Sequence, residues 1–457
     1  MRLGQARWFP FVLSVMMVLL PAALSLAASH EELVKGPFKT GPEVTKACLA
    51  CHEKEARDFM KTVHWTWSEK QKVGAGDMRE LGKKNAINNF CIALSSNWPR
   101  CTSCHAGYGW KDASFDFKDP TLIDCLVCHD TTGSYKKVPT GAGIPDPKVD
   151  LLKVAQKVGT PSRAACGSCH FYGGGGDHIK HGDLDSSMAN PARDYDVHMA
   201  ADGGKMNCQA CHKTKNHAIA GESLAVSMGA GMRVDCSDCH TAKPHKNPVY
   251  NKHAKRIACQ TCHIPTFAKS LPTKVWWDWS KAGKEIAPIP KDKYGLETYS
   301  KMKGEFVWEK DIVPSYAWYN GKTDRYLLGE KIDPTKVVHL NSPLGSRSDK
   351  TAKITPFKVM RGKQAYDSKN NYLAVVHLFG GYWKHYDLKK AIADGMATEK
   401  LPFSGEYGFV ETDMYWKVNH MVVPKEKALK CDSCHGEKSR LDWKALGYKG
   451  DPKGKKK

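Results

Sequence analysis

The sequence predicts mainly helix and coil with little sheet, wrapped around groups that the chain binds covalently. Three observations carry that prediction. The unit CxxCH occurs eight times in 457 residues. Glycine and proline number 39 and 24, which suits turns and loops better than long regular layers. With the first 27 residues set aside, each unit has only about 54 residues of chain, so a group bound at each unit supplies much of the apolar core.

The units are Cys48–Cys51–His52, Cys101–Cys104–His105, Cys125–Cys128–His129 and Cys166–Cys169–His170, followed by Cys208–Cys211–His212, Cys236–Cys239–His240, Cys259–Cys262–His263 and Cys431–Cys434–His435. They use 16 of the 17 cysteines and leave Cys91 alone. CxxCH is the attachment site of c-type haem. Its two thiols bond to the vinyl groups and its histidine binds the iron. CxxC alone also serves zinc or thiol redox chemistry. Eight copies, each with its histidine, favour haem. The expected architecture is a multihaem cytochrome c fold around eight covalently attached haems.

At the N-terminus, Arg2 and Arg7 precede an apolar run from Trp8 to Ala28 that ends in small residues. This reads as a secretory signal peptide over 1–27. The run is just long enough to span a bilayer, but Pro10, Pro21 and the small-residue end favour cleavage over an anchor. An exported bacterial chain carrying c-type haem implies the periplasm. A single octahaem domain is expected over 28–446, with a basic, disordered tail over 447–457.

The formal charge of +21 has a simple account. Each haem brings two propionates, and lysines and arginines pair with them. The surplus draws in small anions. No motif supports nucleic-acid binding.

Along the chain, helices are expected from Glu53 to Lys70 and from Asp387 to Glu399. A third is expected after Asp146–Pro147, through Val149, Leu151, Leu152, Val154, Ala155 and Val158 to a stop at Gly159. The interval from His263 to Cys431 has no haem unit and is rich in aromatics, as in VWWDWS at 275–280. It reads as a wrapping segment that also contributes iron ligands, with a separate haem-free domain as the alternative.

Twelve of the 20 histidines lie outside the units. Electron-transfer haems take a second strong ligand, whereas a reactive haem needs a site that is open or can be opened. His217 and His245 each follow a unit's histidine by five residues. His198, His253 and His420 each precede a unit, and His64 follows the first. With His181, these are the leading distal ligands. His377, His339 and His385 are alternates, His178 ranks lower, and His30 at the leader junction reads as free. Seven leading candidates for eight haems point to one reactive haem.

The stretches GPFKTGPEVTKACLACH, NNFCIALSSNWPRCTSCHAGYGW, IDCLVCHDTTGSYKK and GGGGDHIKHGDLD carry a resemblance. Through most of the mature chain the sequence resembles the octahaem tetrathionate reductases, relatives of hydroxylamine oxidoreductase and pentahaem nitrite reductase. The resemblance implies that the second haem, on Cys101 and Cys104, is the reactive one and that a lysine is its distal ligand. That lysine falls at Lys180, in the Asp177–Lys180 stretch after Gly173–Gly176. The resemblance also places Asn88 and Cys91 in the same pocket. All eight units end in histidine, which disfavours relatives whose active haem uses CxxCK.

The residue chemistry agrees. A lysine binds iron only as the neutral amine and is displaced more easily than imidazole. Asp177 either relays protons or caps a turn. Asn88 either donates to a substrate oxygen or caps a turn. Cys91 is either a small buried hydrophobe or a reactive thiol. The expected function is reduction of a small anion, foremost tetrathionate to thiosulfate, with nitrite and hydroxylamine reduction also expected at a lysine-ligated haem. A periplasmic or membrane quinol-linked cytochrome is the expected donor. The alternatives are a non-catalytic multihaem electron conduit and an oxidase of hydroxylamine oxidoreductase type.

Overall fold

The computed structural model describes residues 29–73, 76, 78–221 and 234–454. The expected signal peptide lies outside the described residues, as do the last three lysines. Helix takes 26% and strand 19% of the chain, and most of the rest is coil. This matches the expected multihaem cytochrome c architecture.

Most haem units sit on short helices or single turns. Leu126–His129, Arg163–His170, Cys208–Cys211 and Cys259–His263 are α-helical, and Thr102–Cys104, Cys236–Asp238 and Cys431–Ser433 are 3-10 turns. The first unit lies inside the long helix Gly41–Phe59, which is kinked at His52. A single turn is enough to put two cysteines three residues apart on one side.

The strands gather mainly between residues 273 and 417, in the interval without a haem unit. Eight of them form one sheet: β1 (Thr273–Asp278), β2 (Tyr299–Ser300), β3 (Gly304–Glu309), β4 (Ser315–Tyr319), β5 (Val338–His339), β6 (Lys353–Asp367), β7 (Tyr372–Leu373) and β8 (Tyr407–Lys417). The main path runs β5-β8-β6-β1-β3-β2, with β4 and β7 also paired to β6. β6 and β8 are antiparallel from Phe357↔Lys417 to Asp367↔Tyr407. β1 lies parallel to β6 through Trp277↔Gly362. The largest core cluster includes Trp277, Trp279, Phe306, Met360, Met414 and Trp416 from this region, together with Ile87, Phe90 and Ile92. The sheet is thus the platform on which the segment around Cys91 rests.

Three expected boundaries shift. The helix expected over 53–70 starts earlier, at Gly41, and ends at Phe59. A separate turn, Val63–Thr66, is closed by Trp67 in the left-handed conformation at φ 51°. The third helix spans Leu151–Gln156, and its cap is Asp150, whose carboxylate accepts from Lys153 N at 3.0 Å. Asp146 caps only the preceding turn, through Lys148 N at 2.9 Å. Packing continues past Leu446. Tyr448 joins a core cluster, and Asp451 accepts from His435 Nδ1 at 2.6 Å. The helix expected at 387–399 is found as Leu388–Thr398, capped by Asp387.

Candidate haem sites and the pocket at Cys91

Seven of the eight unit histidines face a second histidine. The pairs are His52–His30, His129–His217, His170–His64, His212–His420, His240–His198, His263–His245 and His435–His253, with ring centroids 6.0–6.4 Å apart. An iron between two imidazoles, each bound at about 2 Å, separates the centroids by about 6 Å. Among the described residues, no group of three or more His, Cys, Asp or Glu is arranged to hold a bare metal ion. Each pair therefore lacks the further protein ligands a tetrahedral ion requires. A planar haem between the rings, tethered by the adjacent cysteines, fits. All 17 cysteines are free of disulfides.

Hydrogen bonding orients several of these rings. His129 and His212 direct Nδ1 to the carbonyls of Gly159 and Ala220, both at 2.8 Å. His420 and His435 direct Nδ1 to the carboxylates of Asp183 at 3.2 Å and Asp451 at 2.6 Å. Each bond leaves Nε2 for a metal.

Six of the seven leading distal candidates stand in these pairs. His181 does not; its ring lies against Trp416, at 5.0 Å. His30, read as free, faces His52. Its place at the leader junction gave no periodic or spacing signal. The alternates have other partners. His339 bonds Asp413 at 2.7 Å, His385 Nδ1 accepts from Asp387 N at 3.0 Å, and His377 donates its backbone N–H to Ala391. His178 Nδ1 bonds the Pro272 carbonyl.

The second unit differs from the rest. His105 is fully buried in a box of Trp65, Trp67, Trp110, Phe115 and Phe117. Its Nε2 is bonded to the Trp65 carbonyl at 2.7 Å. Burial brings the imidazole down to about 3, so the ring is neutral and Nε2–H is the donor. Its Nδ1 has no partner among the described residues.

The amine near this unit belongs to Lys180. Its Nζ lies 4.7 Å from the Trp416 ring centroid. Burial, and then the charge of Lys83, brings the amine down to about 7, against a smaller opposing effect of Cys104 and Cys101. A lysine near 7 has a large neutral fraction at neutral pH, which is the form that donates to iron. The backbone beneath it is pinned by Lys358, a fully buried residue of β6. Lys358 Nζ donates to the carbonyls of Ile179 at 2.7 Å and Lys180 at 3.0 Å, and to Thr273 Oγ1 at 2.6 Å.

Cys91 approaches the same place from a tight loop. Asn88 Oδ1 accepts from Phe90 N at 3.0 Å and Cys91 N at 3.1 Å, and Asn88 N donates to Ile92 O at 2.7 Å. Asn88 thus caps the loop with its oxygen. The loop is fastened to the sheet region by Trp279 Nε1 donating to Phe90 O at 3.1 Å and by Asn89 Nδ2 donating to Met360 O at 2.9 Å. Burial pushes the Cys91 thiol up, and Lys303, Lys274, Arg100 and Lys83 pull it back.

The glycine run joins the two. A Cβ on Gly173 would stand 2.8 Å from Lys180 Cδ. One on Gly174 would meet Phe90, Ile179 and Lys180 at 3.2–3.3 Å, and one on Gly175 would stand 3.9 Å from Cys91 Sγ. Gly174 and Gly175 have φ of 77° and 101°. Arg100 Nη2 donates to Gly175 O at 3.4 Å. Asp177 accepts from Ser186 N at 3.0 Å, while the cap of the turn Ser186–Ala189 is Asp185. The glycine run thus approaches Lys180 at one end and Cys91 at the other, with Asn88 shaping the loop of Cys91 and Asp177 fastening the segment that carries the lysine.

Cysteine pairs beside facing histidines define a multihaem c-type cytochrome. Comparison with known proteins gives the same class. A family model described as bacterial cytochrome c matches residues 274–438. An uncharacterized protein of Archaeoglobus fulgidus is 25% identical over 250 residues, covering 43% of this chain and 81% of its own. The crystal structure of octaheme cytochrome c from Shewanella oneidensis is 54% identical, with a TM-score of 0.89 over 93% of this chain and 98% of that one. The chain belongs to the octahaem c-type cytochromes.

Proposed function

We propose that this protein carries eight haems, one on each CxxCH unit, and is a periplasmic reductase of small anions, foremost tetrathionate. The observation that carries the reading is that Cys91 and Lys180 both approach the glycine run, beside the one unit whose histidine faces no other. When bound there, the second haem supplies the electrons. Lys180 is the residue that would hold its iron, and the cations around Cys91 would attract the anion. Cys91 loses its proton and its sulfur attacks the central S–S bond of tetrathionate, as in thiol–disulfide exchange. One thiosulfate leaves, and a Cys91–S–SO3 adduct remains. Two electrons and one proton then release the second thiosulfate and restore the thiol. The seven facing histidine pairs would hold the other haems, which would supply stored electrons. The proposed electron donor is a periplasmic or membrane quinol-linked cytochrome.

The test is steady-state kinetics with reduced viologen. Cys91→Ala is expected to lower tetrathionate turnover by about a hundredfold or more, and full turnover in that variant contradicts the thiol's role. A second reading is reduction of nitrite or hydroxylamine, favoured by the weaker lysine ligand and not needing Cys91 as nucleophile. The same variant would keep those activities. A pure conduit is disfavoured because His181, the histidine nearest in sequence to Lys180, packs on Trp416 and faces no unit histidine.

A further inference from the structure

The stretch IDCLVCHDTTGSYKK holds a buried ion pair that the reduction chemistry above does not use. Lys137 Nζ lies 2.8 Å from Asp124 Oδ2, and the two side chains are 8% and 0% exposed. The same ammonium donates to the His105 carbonyl at 2.6 Å. Asp124 has further donors. Its Oδ1 accepts from Tyr108 Oη at 2.9 Å and Val127 N at 3.0 Å, and its Oδ2 also accepts from Tyr135 Oη at 2.9 Å. Burial, and then the charge of Asp124, holds both phenols well above the usual tyrosine range, so they stay donors. A pair so buried is costly to desolvate, and only full hydrogen bonding offsets that cost.

The pair stands against the second haem unit. Asp124 N donates to Ala106 O at 3.0 Å, one residue past His105. The loop after Lys137 closes over the same unit. Ala142 N donates to Pro99 O at 2.9 Å, and Ala142 O accepts from Gly109 N at 2.9 Å and Trp110 N at 3.1 Å. A Cβ on Gly107 would stand 2.8 Å from the His105 ring, and one on Gly143 would stand 2.1 Å from Gly107 O, so loop and unit are tightly packed. By contrast, the carbonyls of His129 and His263 accept from the neutral N–H groups of Gly159 and Val423. The bond on His105 is charge-assisted and therefore the stronger.

We propose that Lys137 and Asp124 are positioning residues of the second haem: they hold the backbone of its histidine and set its reduction potential through their two opposed charges. A positive charge nearby favours the ferrous state, and a negative one favours the ferric state. Joined as a pair the two nearly cancel, and removing either exposes the other. This rests on the reading of the second unit as the reactive one, and adds to it the charges that fix how strongly its haem reduces.

The experiment is a spectroelectrochemical titration of the full-length holoprotein with no substrate present. The wave of the second haem is the one displaced or lost in His105→Met, an assignment that does not involve Lys180. Lys137→Gln keeps a donor for the His105 carbonyl and removes the charge. Three donors remain on Asp124 in that variant, so its negative charge stands uncompensated. At the wild-type midpoint the ratio of reduced to oxidised second haem is expected to fall about tenfold or more, as for one buried unit charge at an effective dielectric of about 20. Asp124→Asn leaves Lys137 unpaired and is expected to raise the ratio by a similar factor. Lys137→Arg, and the double variant of Lys137→Gln with Asp124→Asn, return it toward wild type. An unmoved wave overturns the proposal. So do shifts of the same sign in both single variants, because a loosened fold would give one sign. If neither single variant takes up its haems, Tyr135→Phe decides. It strips one neutral donor from Asp124, so a smaller fall in the ratio supports the proposal and an unmoved wave overturns it. Opposed shifts that leave tetrathionate, nitrite and hydroxylamine turnover unchanged would keep the role of the pair and reject the second haem as the reactive one.

Discussion

Cys91 is subject to opposed influences, since burial raises its thiol while Lys303, Lys274, Arg100 and Lys83 lower it. The net direction is upward from 9.0, so the thiolate gains population as pH rises and is scarce at neutrality. Alkylation of Cys91 by iodoacetamide should therefore speed up with pH and show no plateau below pH 9. Removing one lowering charge, as in Arg100→Gln, moves the profile further up. A plateau near pH 7 would show that the cations outweigh burial. At this scale the sequence is informative about identity and silent about orientation. Asn88, Cys91 and Lys180 were singled out only through the family resemblance, the first two in one stretch and the lysine in another. The bond from His105 to the Trp65 carbonyl was not legible, since CxxCH says nothing of a distant carbonyl. Asp177 was legible only as two options, and its bond to Ser186 N ties it to a turn that Asp185 caps.

The elements that build the pocket are a glycine run and a sheet. Gly174 adopts φ 77° with side chains on three sides. Gly174→Ala is expected to cost about 1–2 kcal/mol from the left-handed backbone alone, and the crowding against Phe90 and Lys180 adds to it. The measurement is a lowered Tm together with a change in the visible spectrum of one haem. A fall in Tm without any spectral change would separate the run from Lys180. The large sheet had no position in the sequence reading for a physical reason. β6 is buried on both faces, so its residues do not alternate in polarity. Lys358 and Gln364, at 1% and 0% exposure, are polar groups inside the core and break the apolar pattern further. The helix Leu388–Thr398, by contrast, carries its own cap and an amphipathic period, so it was readable locally.

Across the whole molecule, histidines cross between units. His64 lies just after the first unit in sequence yet faces the fourth unit's histidine, and His217 lies after the fifth yet faces the third's. Such pairings are tertiary facts, which is why the distal set was legible as a list and not as a map. The units also act on one another. Thiols of the first and third, second and fourth, fourth and fifth, and sixth and seventh units shift one another's proton affinity. Two units have a carboxylate behind a histidine, Asp183 on His420 and Asp451 on His435. A carboxylate there makes the imidazole a stronger donor and favours the oxidised iron. Asp183→Asn should thus raise the midpoint potential of the haem between His212 and His420 while leaving the others in place, as read by a spectroelectrochemical titration. An unmoved potential would confine Asp183 to a structural role. His30→Ala should turn one low-spin haem high-spin.

The central claim is that one haem of the eight, on Cys101 and Cys104, is served by Lys180 in place of a histidine pair. Near-infrared magnetic circular dichroism of the oxidised protein tests it most directly, because the charge-transfer band reports the axial ligands. Seven bis-histidine haems and one amine-ligated haem are predicted, with Lys180→Met altering that one signal and leaving the seven unchanged. Eight bis-histidine signals, or an amine signal that survives Lys180→Met, would contradict the account.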